Sequence, residues 1–314
     1  MVQVDLITGF LGAGKTTFLR RYVRYLVEQG HNVCILENDF GAVNVDAMLV
    51  QDLLGPKCDL ETISGGCDCD THQRRMRTKL IAMAMRGFDR VVVEPSGIFD
   101  VDEFFDVLRD DPLDRWYQIG NVIAIVDAML PEQLSPQSEY LLASETANAG
   151  RVLLSRSQQA GPAQCEAACA HLARALEGCK CSRRFAPEEI LVKDWDTLTD
   201  ADLAAIAACG HRQASCEKLH FDEHEAFSSL CFLEQHLTLE QLQDAADRLF
   251  ADPACGHVLR VKGFAPAPDP AAGWLELNAT VAGKTLAPIP QGQDVLIVIG
   301  EGLDKAAIEA RLKA

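Results

Sequence analysis

Nowhere do eighteen or more apolar residues follow one another, so the chain lacks a segment of the length that a membrane-spanning helix needs. A strand pattern starting at Val2 also leaves no room for a secretory leader, and the expectation is a cytoplasmic protein with no membrane partner. Positive charge is in deficit. Lys and Arg number 29 against 46 Asp and Glu, and the resulting net charge of −17 repels phosphate backbones, which argues against a nucleic-acid partner. Hydrophobic and charged contents of 48% and 24% are ordinary for a globular chain. A length of 314 residues suffices for about two domains and a sizeable core. Cysteine is plentiful by contrast. Twelve in a chain expected to sit in a reducing compartment point to metal or thiol chemistry more than to disulfides, although isolated ones such as Cys34 and Cys231 read as small buried apolar residues.

The stretch Gly9-Phe10-Leu11-Gly12-Ala13-Gly14-Lys15-Thr16-Thr17 matches the phosphate-loop pattern of Gly, four residues, then Gly-Lys-Thr. A triphosphate needs several backbone N–H groups aimed at its oxygens, and glycines let the backbone curl tightly enough to supply them. Lys15 then places a point charge on the β/γ-phosphates, the Thr16 hydroxyl joins the shell of a Mg²⁺ ion, and Thr17 supports the α/β-phosphates. The context fits: Val2–Thr8 reads as a buried strand, and Phe18, Leu19, Tyr22, Val23 and Leu26 fall at helical spacing before a stop at Gln29-Gly30. The loop therefore faces a helix N-terminus.

Further along, Asn32–Glu37 reads as a strand ending at Asn38-Asp39-Phe40-Gly41, and Asp59–Ile63 as a short strand leading into Ser64-Gly65-Gly66-Cys67-Asp68-Cys69-Asp70. A helix then carries Met76, Leu80, Ile81 and Ala84 on one face and stops at Gly87. In Arg90–Gly97 an apolar run delivers Glu94 towards Mg²⁺ or an attacking water, and the Gly97 amide towards a γ-phosphate. Asn121–Asp127 and Arg151–Leu154 add two buried strands, so the sheet is parallel with helices on both faces. Residues 162–178 and 201–208 read as helices, and 191–195 as an edge segment. Past a linker near 209–220 the pattern changes to strands at 227–233, 258–262, 274–280 and 295–299 and helices at 239–250 and 303–312, with a Pro-rich loop at Pro266, Pro268 and Pro270. The expected organisation is a phosphate-loop NTPase domain over 1–210 and a smaller α+β domain over 211–314.

These residues, in this order, resemble the CobW-type GTPases, a family of metallochaperones and metal-insertion proteins. The resemblance covers nearly the whole chain: Gly9–Thr17 as phosphate loop, Asn38–Gly41 as first switch, Gly66-Cys67-Asp68-Cys69 as most of a Cys-x-Cys-Cys motif, Glu94-Pro95-Ser96-Gly97 as second switch, then Val126-Asp127-Ala128, Arg260–Phe264 and Val298–Gly300. Three departures stand out. Asp70 replaces the third motif cysteine, and Asp39 a glutamate, with Ala42 where a further acid often stands. Ser155-Arg156-Ser157-Gln158 replaces the base-reading Asn-Lys-x-Asp, and Gln158 offers guanine no charged acceptor, which leaves GTP against ATP open. The Cys-rich stretch from Cys165 to Cys216 has no counterpart.

Cys67 and Cys69 supply two soft ligands suited to Zn²⁺ or Co²⁺, and Asp70 or Asp39 would add oxygen. An open coordination position would suit transfer better than storage. Cys165 with Cys169 at i, i+4, Cys179, Cys181, Cys209, His211 and Cys216 read as helix packing plus exposed thiols ahead of a second Zn²⁺ site, and His220 and His224 as solvated residues ahead of a metal relay. The functional expectation is a nucleotide-dependent chaperone for a metal or metal cofactor, hydrolysing GTP or another triphosphate slowly with Mg²⁺ and serving a client metalloprotein. The catalytic set is Lys15, Asp39 and Glu94. Gly9, Gly12, Ala13, Gly14, Lys15, Thr16, Thr17, Gly97, Ser155 and Gln158 hold nucleotide, and the ligands are Thr16 for Mg²⁺ with Cys67, Cys69, Asp70 and Asp39 for the cargo. Two alternatives stay open: a nucleotide-switched assembly factor for a metallo- or corrinoid protein that carries no metal, and a small-molecule kinase. The oligomeric state, a homodimer included, is open as well.

Overall fold

The computed structural model describes residues 1–39, 49–64, 69–97, 101–214, 216–217, 227–268, 273–289 and 292–313. Its contacts divide the chain into two compact units, Met1–Leu219 and His220–Ala314.

In the first unit the strands are β1 Val2–Thr8, β2 Val33–Asp39, β3 Cys58–Ser64, β4 Arg90–Glu94, β5 Tyr117–Asp127, β6 Arg151–Ser155 and β7 Ile190–Val192. The helices between them are α1 Lys15–Glu28, α2 Cys69–Met85, α3 Val101–Arg109, the single turn α4 Leu113–Trp116, α5 Pro136–Ala147, α6 Ser157–Gly178 and α7 Asp200–Ile206. The seven strands lie in the order β3-β2-β4-β1-β5-β6-β7, and every pairing is parallel. Val4, Leu6 and Ile7 of β1, Val91 to Val93 of β4 and Val122 to Ile125 of β5 are buried, as expected of central strands covered by helices. The face of α1 read from periodicity, Phe18, Leu19, Tyr22, Val23 and Leu26, packs into that core, where each such side chain contributes about 1.5–3 kcal/mol.

Inside this apolar layer one carboxylate is fully engaged. Asp5 accepts hydrogen bonds from the Tyr22 hydroxyl at 2.8 Å, from Arg90 at 2.6 Å and from the backbone and side-chain amides of Asn121 at 2.8 Å each. It ties β1, β4, β5 and α1 together beneath the loop that follows β1. Because the strands are parallel, their carboxyl ends share one edge, and Thr8, Asp39, Ser64, Glu94, Asp127 and Ser155 all terminate there.

The second unit is an antiparallel sheet in the order β11-β10-β9-β12-β8, formed by β8 Ser228–Leu233, β9 His257–Pro266, β10 Trp274–Thr280, β11 Gly283–Ile289 and β12 Val295–Glu301. Helices α8 Leu239–Ala251 and α9 Lys305–Leu312 share a core with it through Leu242, Ala246, Leu249 and Ile308. β9 extends through Pro266, which the sequence reading assigns to a loop. β11, α3, α4 and α5 answer to no element read from the sequence. β11 is an edge strand exposed along nearly its whole length, so it carries no apolar alternation. α5 is buried on most sides, at Tyr140, Leu141, Leu142, Ala143, Glu145, Thr146 and Ala147, so it shows no helical stripe. α6 includes a break at Gly161, with Pro162 opening the main run of the helix as the periodicity indicates.

Candidate functional site

β1 ends at Thr8, and α1 begins at Lys15 behind Gly14, which has φ 101° and lends no side-chain cap. Between them the loop folds against β5. Gly9 has φ 139°, and a Cβ there would lie 2.2 Å from the Ile125 carbonyl oxygen, so this position admits glycine alone. A helix opening without a capping side chain, behind a glycine-built turn, directs its first N–H groups to an anion. Lys15 is buried against this turn and donates to the Gly9 carbonyl at 2.6 Å. Ala13 is buried and bonds back to Phe10 at 3.1 Å, Gly12 lies in the same turn, and Thr17 is exposed.

The second half of the site arrives from β4. Thr16 donates to Glu94 Oε1 at 2.7 Å, which joins a hydroxyl from the first turn of α1 to a carboxylate at the end of β4. Two hard oxygen donors at that separation fit a Mg²⁺ ion. Gly97 closes on the loop from the same side: a Cβ there would stand 2.7 Å from the Leu11 nitrogen and 2.8 Å from Lys15 Nζ. Lys15, Thr16, Glu94 and Gly97 are therefore brought together, as the motif spacing anticipates.

The far end of the loop is held by a residue that the sequence reading passed over. Arg156 has φ 55° and donates through Nε to Asp127 Oδ1 at 2.9 Å, through Nη2 to Asp127 Oδ2, and through Nη2 to the Gly12 carbonyl at 3.2 Å. Burial pushes the Asp127 carboxyl up in pKa, while Arg156 and the Met129 amide pull it down. Arg156 occupies the lysine position of Asn-Lys-x-Asp, and that was the signal available. Ser155 is buried with its hydroxyl 3.5 Å from the Val126 carbonyl, and Gln158 is exposed in the first turn of α6. Trp195 packs edge-on against Phe18 at 5.6 Å, and a Cβ on Gly14 would touch its ring at 3.4 Å, which gives this end an aromatic wall.

The metal residues are only partly covered. Cys67 lies outside the described residues. The backbone of Asp39 closes β2 in register with Ser64 of β3, and Cys69 and Asp70 open α2. Among the described residues no group of three or more metal-ligating side chains assembles. Of the later cysteines, Cys165, Cys179 and Cys181 are buried, so the reading of exposed thiols fails for Cys179 and Cys181. Burial raises the Cys165, Cys169 and Cys179 thiols in pKa, the reverse of an activated ligand. His220 and His224 lie outside the described residues. No helix among the described residues is long and apolar enough to cross a membrane.

The chain is 32% identical over 174 residues to the zinc chaperone YjiA of Escherichia coli strain K12, a match covering 52% of each protein. It is 26% identical to the zinc chaperone CobW of Pseudomonas aeruginosa over 99% of this chain and 91% of that one. The chain thus spans about half the length of the Escherichia coli relatives it matches, 52% and 48% of them. The crystal structure of the Zn(II)-bound YjiA GTPase from E. coli aligns over 99% of this chain and 98% of that chain at 20% identity, with a TM-score of 0.38. A family model described as CobW/HypB/UreG, nucleotide-binding domain, matches residues 3–182, and with more than half of its length so matched the chain belongs to the CobW/HypB/UreG family.

Proposed function

We propose that this protein is a nucleotide-dependent metallochaperone: it binds and slowly hydrolyses GTP or another triphosphate, and the nucleotide state governs its hold on a transition metal destined for a client protein. The observation that carries the nucleotide half is the Thr16–Glu94 contact of 2.7 Å with Lys15 and Gly97 beside it. The loop amides between Gly9 and Gly14 would receive the β- and γ-phosphates, with Lys15 turning from the Gly9 carbonyl to the phosphate oxygens. Thr16 and Glu94 would hold Mg²⁺, which when bound neutralises charge building up on the phosphates. Gly97, with no side chain between its amide and Lys15, leaves room for the terminal phosphate. Asp39 at the end of β2 would orient the attacking water. Ser155 and Gln158 would face the base.

The metal half is supported by family membership and by relatives named zinc chaperones. Cys67 and Cys69, with Asp70 or Asp39, would form the cargo site at the β3–α2 junction, on the strand edge that also carries Glu94. Zn²⁺ or Co²⁺ suits two thiolates and a carboxylate.

The test is a metal titration of anaerobically purified full-length protein with Mg²⁺ and either GDP or a non-hydrolysable GTP analogue. An affinity ratio of about tenfold or more, equivalent to ~1.4 kcal/mol, is expected, with loss of the site in Cys67→Ala/Cys69→Ser. Equal affinity in both nucleotide states removes the chaperone reading and leaves a switch without cargo. Phosphate transferred to an added metabolite would instead establish a kinase.

A further inference from the structure

Asp5 is not the only carboxyl sealed inside the first unit. Glu145 of α5 is equally inaccessible, at 1% exposure, and neither of its oxygens accepts a hydrogen bond of standard geometry from any described residue. Its helix packs against β5, the strand whose Ile125 carbonyl lies against Gly9, and the Gly9 amide and the Lys15 ammonium are the groups that favour its charged form. Burial outweighs both and pushes the Glu145 carboxyl up to about 8. Of the other charged groups on the elements packed against α5, Glu166, Arg174 and Glu177 of α6 are exposed. His171 of α6 meets Glu139 at 2.6 Å, more than a turn away along α5, and Asp127 at the end of β5 is held by Arg156. Among the described residues, Lys15 is the charged group that acts on Glu145.

One lysine thus lies between a buried carboxyl and the place where phosphates would bind. We propose that Glu145 is a proton-linked positioning residue of the phosphate loop, taking one proton from solvent as a nucleotide's phosphates draw Lys15 away from the Gly9 carbonyl. An ionised Glu145 competes with the phosphates for the ammonium and repels them across a medium of low dielectric; a neutral one does neither. Binding and protonation therefore favour each other, and linkage makes the effect reciprocal. The inference rests on the nucleotide-binding reading of the loop and adds to it a pH window that no phosphate-loop motif encodes.

The experiment is calorimetric titration of the full-length protein with Mg²⁺ and a non-hydrolysable triphosphate, guanosine and adenosine forms in turn, in two buffers of different ionisation enthalpy. Near about pH 9 the wild type should take up close to one proton per nucleotide, and its Kd should weaken by roughly tenfold per pH unit above 8. Glu145→Gln should bind with a Kd that stays flat over that range and with no such uptake. Binding without proton uptake in the wild type, or the same uptake in Glu145→Gln, overturns the proposal. Should Glu145→Gln fail to fold, the wild-type uptake curve, with or without a midpoint near 8, decides the matter. Absence of any binding at any pH overturns the nucleotide reading itself, and the inference with it.

Discussion

The two ends of the nucleotide site are built by different means. At the phosphate end, backbone and a few short contacts do the work: glycine at 9 and 97, a lysine on a carbonyl, a hydroxyl on a carboxylate. At the base end the same loop is clasped by side chains alone, with Arg156 gripping Asp127 and reaching the Gly12 carbonyl, while the position that would read the base carries an exposed Gln158. The phosphate end has little freedom to vary, because a triphosphate presents the same oxygens whatever base it carries. At the proposed base end the two are separable: Arg156 ties Asp127 to the loop, while Gln158 stands where the resemblance would place a base-reading aspartate.

Three substitutions sharpen or break that contrast. Gly9→Ala should have the largest effect, about 4 kcal/mol or more of lost stability, because it forces a Cβ to 2.2 Å from a backbone oxygen at a φ that L side chains avoid. Chemical denaturation reads it, and a loss under about 1 kcal/mol would mean that the phosphate end is looser than described. Arg156→Ala should cost about 3 kcal/mol, because it leaves the Asp127 carboxylate buried without its partner. The sign with pH is defined. Removing the cation raises the folded-state pKa of Asp127 further above its unfolded value, so the loss relative to wild type should deepen as pH rises from the wild-type folded pKa to the variant's, and Asp127→Asn in the same background should restore stability. The smallest effect belongs to Gln158→Asp, which should shift the GTP-to-ATP preference by roughly tenfold towards GTP without altering the affinity for inorganic phosphates. Competition against a labelled analogue measures it, and an unchanged ratio would take residue 158 out of base reading.

Much of this was legible without coordinates. The phosphate loop, the α1 face and the Glu94–Gly97 strand end carry their meaning in spacing, because a strand-turn-helix around glycines has few other solutions. Trp274–Thr280 was read with the ends it has in the fold. What stayed hidden has a physical pattern of its own. Glu145 lies on a helix buried on most sides, where no amphipathic stripe announces a helix and no stripe means no face to assign. Arg156 escaped because its role depends on a left-handed backbone turn that brings the guanidinium across to Asp127 and Gly12, residues 29 and 144 positions away. β11 escaped because an exposed edge strand has no inward face to mark it. Trp195 met Phe18 and Gly14 only through the strand crossover that precedes it.

The order of strands also sets a length. Between β1, which feeds the phosphate loop, and β3, which feeds the cysteine segment, stand β4 and β2, so three inter-strand steps, ~14 Å in all, separate the two roots. That span is far beyond the reach of any single coordinate bond. Under the proposed function, one route between the two runs sideways along the rim, from the β4 terminus at Glu94 to the β2 terminus at Asp39 and on to Ser64. On that reading a change at the phosphates reaches the cysteine segment through two intervening strand ends and not by direct contact.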